Sequence, residues 1–531
     1  MKAKFYRLII LWIACNSAQG QVPTIQWQRS LGGTDHDQGK AICNTRDGNI
    51  VVAGEASSYD GDVTCHQGNF DIWILKLDTT GVVIWQQCLG GIGDERVFSI
   101  EQTSDGGFII GGTADANSGI VSGVHGNLDD YWIVKTDSLG VFVWQKCYGG
   151  TDFDEVSSIH QTIDGGYIVV GSASSNNGDV IGHHGCNGCL ADIWLLKLDT
   201  SGNILWQQIF GGSYIDYSGS VSEALDSGFI IAGYTASTDG DITNTHGSTD
   251  AWIIKTNGIG VLQWQKCYGG SLEESAYSIQ ATSDGSFIFV GEAKSNDGDV
   301  ISAHLGGEAW LVKIDSIGNI IWQKSLGGNG AEAAYSISKT VDGGYFIVSL
   351  TASNDGDVSG HHGVADYWAV KTDSSGNIEW QKCLGGSDLE WAYQGIQTMD
   401  SGYAVIGWSD SNDGDVSGHH FPFQGNADDY WVVKLSSQAT DVEEDFEIIT
   451  GLNAYLNSNK NQLHIEFRAN DKVKIQIQLL DITGRLLVTD DFSAMPGLNI
   501  RDVAIEKIHS GIYITRLVSE QWTLTGKVIK H

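Results

Sequence analysis

The chain has 531 residues, among them 69 glycines, 3 prolines and 18 each of tryptophan and tyrosine, and its 65 acidic and 30 basic residues give a formal net charge of −35. That acidity excludes nucleic acid and anionic lipid as partners, and the length exceeds what one ordinary core accommodates. Abundant glycine beside short Val, Ile and aromatic runs predicts many strands joined by tight turns.

Residues 1–20 form an export signal. Lys2, Lys4 and Arg7 precede the apolar stretch from Leu8 to Ala14, and Ala18-Gln19-Gly20 supplies small residues before a cut at Gln21. Cys15 leaves a lipoprotein signal as the alternative. The apolar stretch is too short to span a bilayer, and no later segment has the roughly 18 apolar residues a span needs. Export places the remaining cysteines in an oxidising compartment.

From residue 25 to 435 the chain repeats itself. Heptads related to "WQRSLGG" start at Trp27, Trp85, Trp144, Trp206, Trp264, Trp322 and Trp380, at spacings of 58, 59, 62, 58, 58 and 58 residues. Each unit carries four strand-like runs, in the sixth "NIIWQKSLGG", "AAYSISKT", "GYFIVSLTAS" and "ADYWAVKTD". A turn carrying Asp47, Asp105, Asp164, Asp226, Asp284, Asp342 or Asp400 joins the second run to the third, because Asp, Asn and Gly tolerate positive φ. Seven four-stranded units predict a seven-bladed β-propeller of all-β class, since closure removes exposed strand edges. The array begins on a first run and ends on a fourth, so the runs at 25–45 are expected to complete a blade whose other two lie at 403–435. The pattern "DGGYIVVG", a Tyr-Trp strand and "SGNI" before "WQK" resembles SBBP-type bacterial β-propeller repeats, a resemblance that implies architecture and leaves function open.

Polar residues recur in every unit. An acid stands two before the fourth-run Trp (Asp71, Asp130, Asp192, Asp250, Glu308, Asp366, Asp429) and a lysine three after it (Lys76, Lys135, Lys197, Lys255, Lys313, Lys371, Lys434). Another acid lies four beyond each Gly-Gly (Asp37, Glu95, Asp154, Asp216, Glu274, Glu332, Glu390). A group needed once for catalysis has no reason to appear seven times, so these are read as charges compensated within or between blades. The long loop between the third and fourth runs carries Asp-Gly-Asp and a histidine. Asp355 with Asp357 and Asp413 with Asp415 are candidate calcium ligands, against an Asx-type turn followed by a histidine bonded to a neighbouring loop. In the third unit "HHGCNGC" brings His183, His184, Cys186 and Cys189 within seven residues, which suits either a Cys186–Cys189 disulfide or a zinc or copper site. Cys43 and Cys65 are also candidates to pair. Cys88, Cys147, Cys267 and Cys383 alternate with Ser and Ile at one heptad position, which reads as a small packed side chain.

Trp391 and Trp408 stand outside the repeat pattern and are the candidate ligand platforms; the insertion "FPFQG" (421–425) lies in the same unit. No GxSxG, HExxH, Walker or dinucleotide motif is present.

Residues 436–447 ("SSQATDVEEDFE") read as a linker, and 448–531 as a small Ig-like β-sandwich of alternating runs. "LLDITGRLL" (479–487), "SGIYITRL" (510–517) and "GKVIKH" (526–531) resemble the type A C-terminal sorting domain of the type IX secretion system. That resemblance implies the translocon as partner and the propeller as a secreted or surface-displayed passenger. The function expected is non-enzymatic binding or adhesion to an extracellular glycan or protein. A carbohydrate-active hydrolase or lyase and a structural surface protein are the alternatives. An enzyme should show one blade with polar residues absent from its sisters, converging on the central channel.

Overall fold

The computed structural model describes residues 22–184, 190–301, 306–420 and 427–437, and beyond them 449–457, 462–469, 472–481, 485–495, 497–505, 511–518 and 523–530. The expected export signal, Cys186 and Cys189, "FPFQG" and the expected linker from 438 onward lie outside the described residues. The chain divides into two compact units, Met1–Ala439 and Thr440–His531.

The first unit is a seven-bladed β-propeller of seven four-stranded antiparallel sheets. Blade 1 runs outward from the channel as Asp37–Asn44, Ile50–Ala56, Asp71–Leu77 and Val83–Leu89. The second and third strands carry the apolar runs and are buried along their length, as in Phe108–Ala114 and Asp130–Thr136. Both faces of these strands need cover, and the adjacent blades supply it. Val51 and Ile72 of blade 1 share one core with Val97 and Ile110 of blade 2. Among the described residues no helix is long and apolar enough to cross a membrane.

The repeated Trp–Gln pair is a packing device. Trp73, Trp132, Trp194, Trp252, Trp310, Trp368 and Trp431 are wholly buried. Each indole N–H donates to a glutamine on the adjacent outer strand at 2.8–2.9 Å, which satisfies the polar end of a large apolar side chain. In blade 7 that glutamine is Gln28, from the other end of the array.

Ring closure differs from the expected phase. Only the first run, Ile25–Leu31, joins blade 7, as the outer strand beside Asp429–Leu435, Tyr403–Ser409 and Glu390–Gln397. The second run is inner strand of blade 1. Its turn explains why: Thr45 N–H donates to Asn49 C=O at 2.9 Å and ties it in a hairpin to Ile50–Ala56. The clasp is therefore one strand against three, reinforced by Ser436 N–H donating to Thr24 C=O at 2.8 Å.

Cysteine pairing also differs. Cys65 is bonded to Cys88, not to Cys43, and Cys88 is a cross-link instead of a packed thiol. The position of Cys65 explains its choice of partner. Three residues after the second loop Asp (Ile120 in blade 2), other described blades have left-handed Gly123, Gly182, Asn244, Gly360 and Gly418, while blade 1 has there a thiol that reaches Cys88 of the outer strand. Cys147, Cys267 and Cys383, at the position of Cys88 in other blades, are free and buried. Cys65→Ser should lower stability by about 3 kcal/mol for the 23-residue separation. Denaturant unfolding of the variant checks this, and an unchanged midpoint would contradict it.

In the second unit, one sheet pairs Ile449–Asn457, Gln462–Ala469 and Gly497–Ala504, and another pairs Leu486–Ala494, Val473–Asp481, Gly511–Val518 and Thr523–Lys530. Leu463, Ile465 and Phe467 of the first share a core with Ile475, Ile477 and Leu479 of the second.

Candidate functional site: the propeller channel

The residues that recur in every blade hold the ring together. Each repeated lysine meets the turn aspartate of its own blade, at 2.6 Å in Lys76–Asp47 and no more than 3.1 Å in the other six. Slight desolvation pushes the Asp47 carboxyl up, but hydrogen bonds from Lys76 and Thr45 hold it at about 2. Each acid after a Gly-Gly accepts the N–H of the second glycine, at 2.7–2.9 Å in all seven. The first glycine is needed because a Cβ at Gly90 would collide with the carboxylates of both Asp71 and Glu95. Such a carboxyl pair cannot stay doubly ionised in the interior. Burial first, and then Asp71, push Glu95 up to about 8 against the Gly91 hydrogen bond.

The loop histidines bridge blades. His125 Nδ1 meets Asp130 at 2.8 Å while Nε2 faces Asp179 of the next blade at 3.5 Å. His184 joins Asp192 to Asp241, and His420 joins Asp429 to Asp62, in the same manner. His183 lies 3.8 Å from Asp192 and 3.1 Å from the Leu190 carbonyl.

The Asp-Gly-Asp pairs clamp the loop onto a Gly-Gly corner. Asp355 accepts Asn329 N–H at 2.8 Å, Asp413 accepts Ser387 N–H at 2.7 Å, and the N–H groups of Asp357 and Asp415 donate to the carbonyls of Gly327 and Gly385. The carboxylates of Asp355 and Asp413 thus face N–H donors, where a calcium ion wants oxygen. Among the described residues no group of three or more His, Cys, Asp or Glu side chains is arranged to hold a metal ion. A chelator should leave the thermal midpoint of the propeller unchanged; a calcium-dependent rise in that midpoint would contradict this arrangement.

What does vary lies on the inner strands. Each of them has eight residues against seven on its partner, and in every blade a bulge absorbs the extra one. The residues left out of the ladder are Lys40, Phe98, Ser157, Gly219, Tyr277, Tyr335 and Tyr393. A bulge re-aims a side chain, and all seven of these line the central cavity of about 410 Å³. Blades 5, 6 and 7 thus contribute three consecutive tyrosines to the cavity, and blades 3 and 4 the small Ser157 and Gly219.

The tyrosines belong to a longer aromatic surface. Tyr277 stacks on Tyr335 at 5.3 Å between centroids, Tyr335 meets Trp391 at 5.6 Å, and Trp391 lies parallel to Trp408 within 12°. The two tryptophans are register partners on the inner and second strands of blade 7, so the two candidates named from the sequence lie side by side there. The bulge ring was missed; its signal was a position that varies from blade to blade between repeated neighbours.

Charges complete the mouth. Lys40 Nζ sits 4.1 Å over the Tyr393 ring, donates to Tyr393 Oη at 2.8 Å and pairs with Glu55 at 3.4 Å, while Arg96 approaches Glu55 at 3.8 Å. Glu155 is exposed on its strand, yet partial desolvation by the surrounding protein, and then the nearby Asp129, hold its carboxyl above its ordinary range although Arg96 opposes them. Glu292 is also raised by burial, against the pull of Lys294.

Comparison with known proteins gives solved structures of low identity and one family model over the C-terminal residues. No curated protein matches the chain. Solved structures similar to it include Sqt1 from Chaetomium thermophilum (11% identity, TM-score 0.37, 84% of this chain and 97% of that one). Another is YCF48 bound to D1 peptide (9%, 0.40, 78% and 96%). A puromycin hydrolase is a third (10%, 0.44, 84% and 61%). Residues 453–531 match the family model of the secretion system C-terminal sorting domain, so the propeller is carried by a domain that addresses it to the type IX system and to the outer surface or beyond.

Proposed function

We propose that the chain is an exported, SBBP-type propeller acting as a non-enzymatic binding or adhesion module, with the channel mouth as its site for an extracellular glycan or protein. One observation carries this reading. Residues that build the ring repeat seven times, whereas the bulged position holds Lys, Phe, Ser, Gly and then three consecutive Tyr, which gathers aromatic rings on one wall. A pocket of this size with stacked aromatics and a few polar groups suits a small ligand or the tip of a polymer.

A carbohydrate hydrolase is the second reading: Glu55, 8% exposed and 3.4 Å from Lys40, puts a carboxylate beside the aromatic wall. A glycan array with polysaccharide hydrolysis assays on the secreted chain separates the two. Binding without turnover is expected. Turnover of any glycan would replace the binding reading, and neither binding nor turnover would leave a structural surface protein.

A further inference from the structure

Beside the bulged side chains the channel is walled with hydroxyls. The position after the bulge is serine in blades 2 to 6 (Ser99, Ser158, Ser220, Ser278 and Ser336), and all of these line the central cavity. In three of them the oxygen ties one blade to the next. Ser220 Oγ accepts Ile279 N–H at 2.9 Å, Ser278 Oγ accepts Ile337 N–H at 3.3 Å and Ser336 Oγ accepts Gly395 N–H at 3.4 Å. Such a bond occupies a lone pair and leaves the hydroxyl proton to be given elsewhere. Gln280 lines the same cavity, and no hydrogen bond within the described residues uses its carboxamide.

Charge is either missing from this lining or already matched. No carboxylate stands among the described lining residues. The one ammonium, Lys40 Nζ, donates to Gln38 Oε1 at 2.7 Å and Tyr393 Oη at 2.8 Å and pairs with Glu55 at 3.4 Å, which accounts for its three protons. His160 is bracketed by Glu101 and Ser158 Oγ, each at 3.2 Å. A cationic ligand would leave water with no carboxylate in the lining to receive it. An anionic one would enter against a net charge of −35. The aromatic side is extended as well. Tyr277, Tyr335, Trp391 and Trp408 follow one another at 5.3, 5.6 and 6.4 Å between centroids, each half-buried. They lead from the inner strands of blades 5, 6 and 7 to the second strand of blade 7.

We propose that the channel takes the end of an uncharged pyranose chain. Its terminal unit sits in the cavity, with its oxygens receiving the protons of Ser220, Ser278 and the Gln280 carboxamide, and the units behind it lie along Tyr335, Trp391 and Trp408. This rests on the channel-binding reading above and narrows its ligand. A pyranose has apolar C–H faces for the aromatic rings and oxygens at its rim for the O–H and N–H donors, and it asks for no counter-charge.

The test is calorimetric titration of the secreted full chain with neutral tetramers (cellotetraose, mannotetraose and N-acetylglucosamine tetramer), with charged ones (glucosamine tetramer and tetragalacturonate), and with tetraproline. The best neutral tetramer should bind roughly tenfold more tightly than either charged one, with an affinity indifferent to added salt. Tyr335→Ala should weaken it by about tenfold. Gln280→Ala, which removes no hydrogen bond within the described residues, should keep the wild-type unfolding transition and weaken it by about fivefold. Gln280→Glu should shift the preference toward glucosamine tetramer. A charged tetramer that binds the wild type as tightly as the best neutral one would overturn the inference while leaving the channel as the site. Neutral-sugar binding untouched by Tyr335→Ala would overturn the channel reading itself. Tighter binding of tetraproline would make the ligand a peptide, and failure of every neutral tetramer to bind would end the proposal.

Discussion

Deleting residues 22–31 should lower the thermal midpoint by on the order of 10 °C and make the protein prone to aggregate. The strand lost is the outer strand of blade 7, paired along its length with Asp429–Leu435. Its removal exposes a row of unpaired backbone groups on a long edge. It also strips Trp431 of the Gln28 acceptor, which lies 2.9 Å from its indole nitrogen, and takes the buried Leu31 out of the core it shares with Ile42 and Trp73. Gln28→Ala is the milder version: a buried N–H left without its acceptor costs about 1–3 kcal/mol. Thermal scans of both variants check the clasp. A deletion variant that unfolds at the wild-type temperature would show that the ring is closed by something else.

Stability should be greatest in mild acid and decline toward neutral and alkaline pH. Burial, opposed by hydrogen bonds from Ser58, Ser175 and Thr235 respectively, raises Asp37, Asp154 and Asp216 to about 6, and burial raises Glu95 to about 8. Below about pH 4 these groups are protonated in the folded and unfolded chain alike, and their full stability is present. As pH rises, the unfolded chain releases its protons first, so stability is lost through about 6 for the aspartates and through about 8 for Glu95. The turn aspartates act in the opposite sense. Asp47 and Asp105 are held at about 2, chiefly by bonds from Thr45, Thr103 and their lysines working against slight desolvation. Their modest stabilisation, screened because these carboxylates are half exposed, is present above about pH 4 and lost as pH falls toward 2. The two sets together place the maximum near pH 4–5, with a fall of a few kcal/mol by pH 8. Urea unfolding from pH 3 to 9 checks this; stability rising steadily toward pH 8 would contradict the buried carboxyl pairs.

Seven copies of one unit made the architecture legible. Strand number, hairpin turns and the split between scaffold and variable positions all follow from comparing the units. The Asp47 turn was legible too, and its consequence decided the clasp: a run tied by a tight turn to its successor cannot serve another blade. The Cys65–Cys88 bond was harder, because it depends on Cys65 occupying a position that elsewhere needs a left-handed residue such as Gly123 or Gly360. The bulge ring was hidden for a physical reason. Alternation along a strand assigns side chains to faces with a period of two, and a bulge breaks that count within the strand. Only the pairing of eight residues with seven reveals that Tyr277, Tyr335 and Tyr393 turn toward the channel.

The most direct test of the account compares glycan-array profiles of the secreted wild-type chain and of a Tyr335→Ala/Tyr393→Ala double variant. Both side chains stand outside the strand ladder, so the variant should keep its fold, verified by an unfolding transition as cooperative as that of the wild type. The wild type should bind a restricted set of glycans, and the variant should lose them. A folded variant with the wild-type profile would contradict the claim that function resides in the seven bulged side chains.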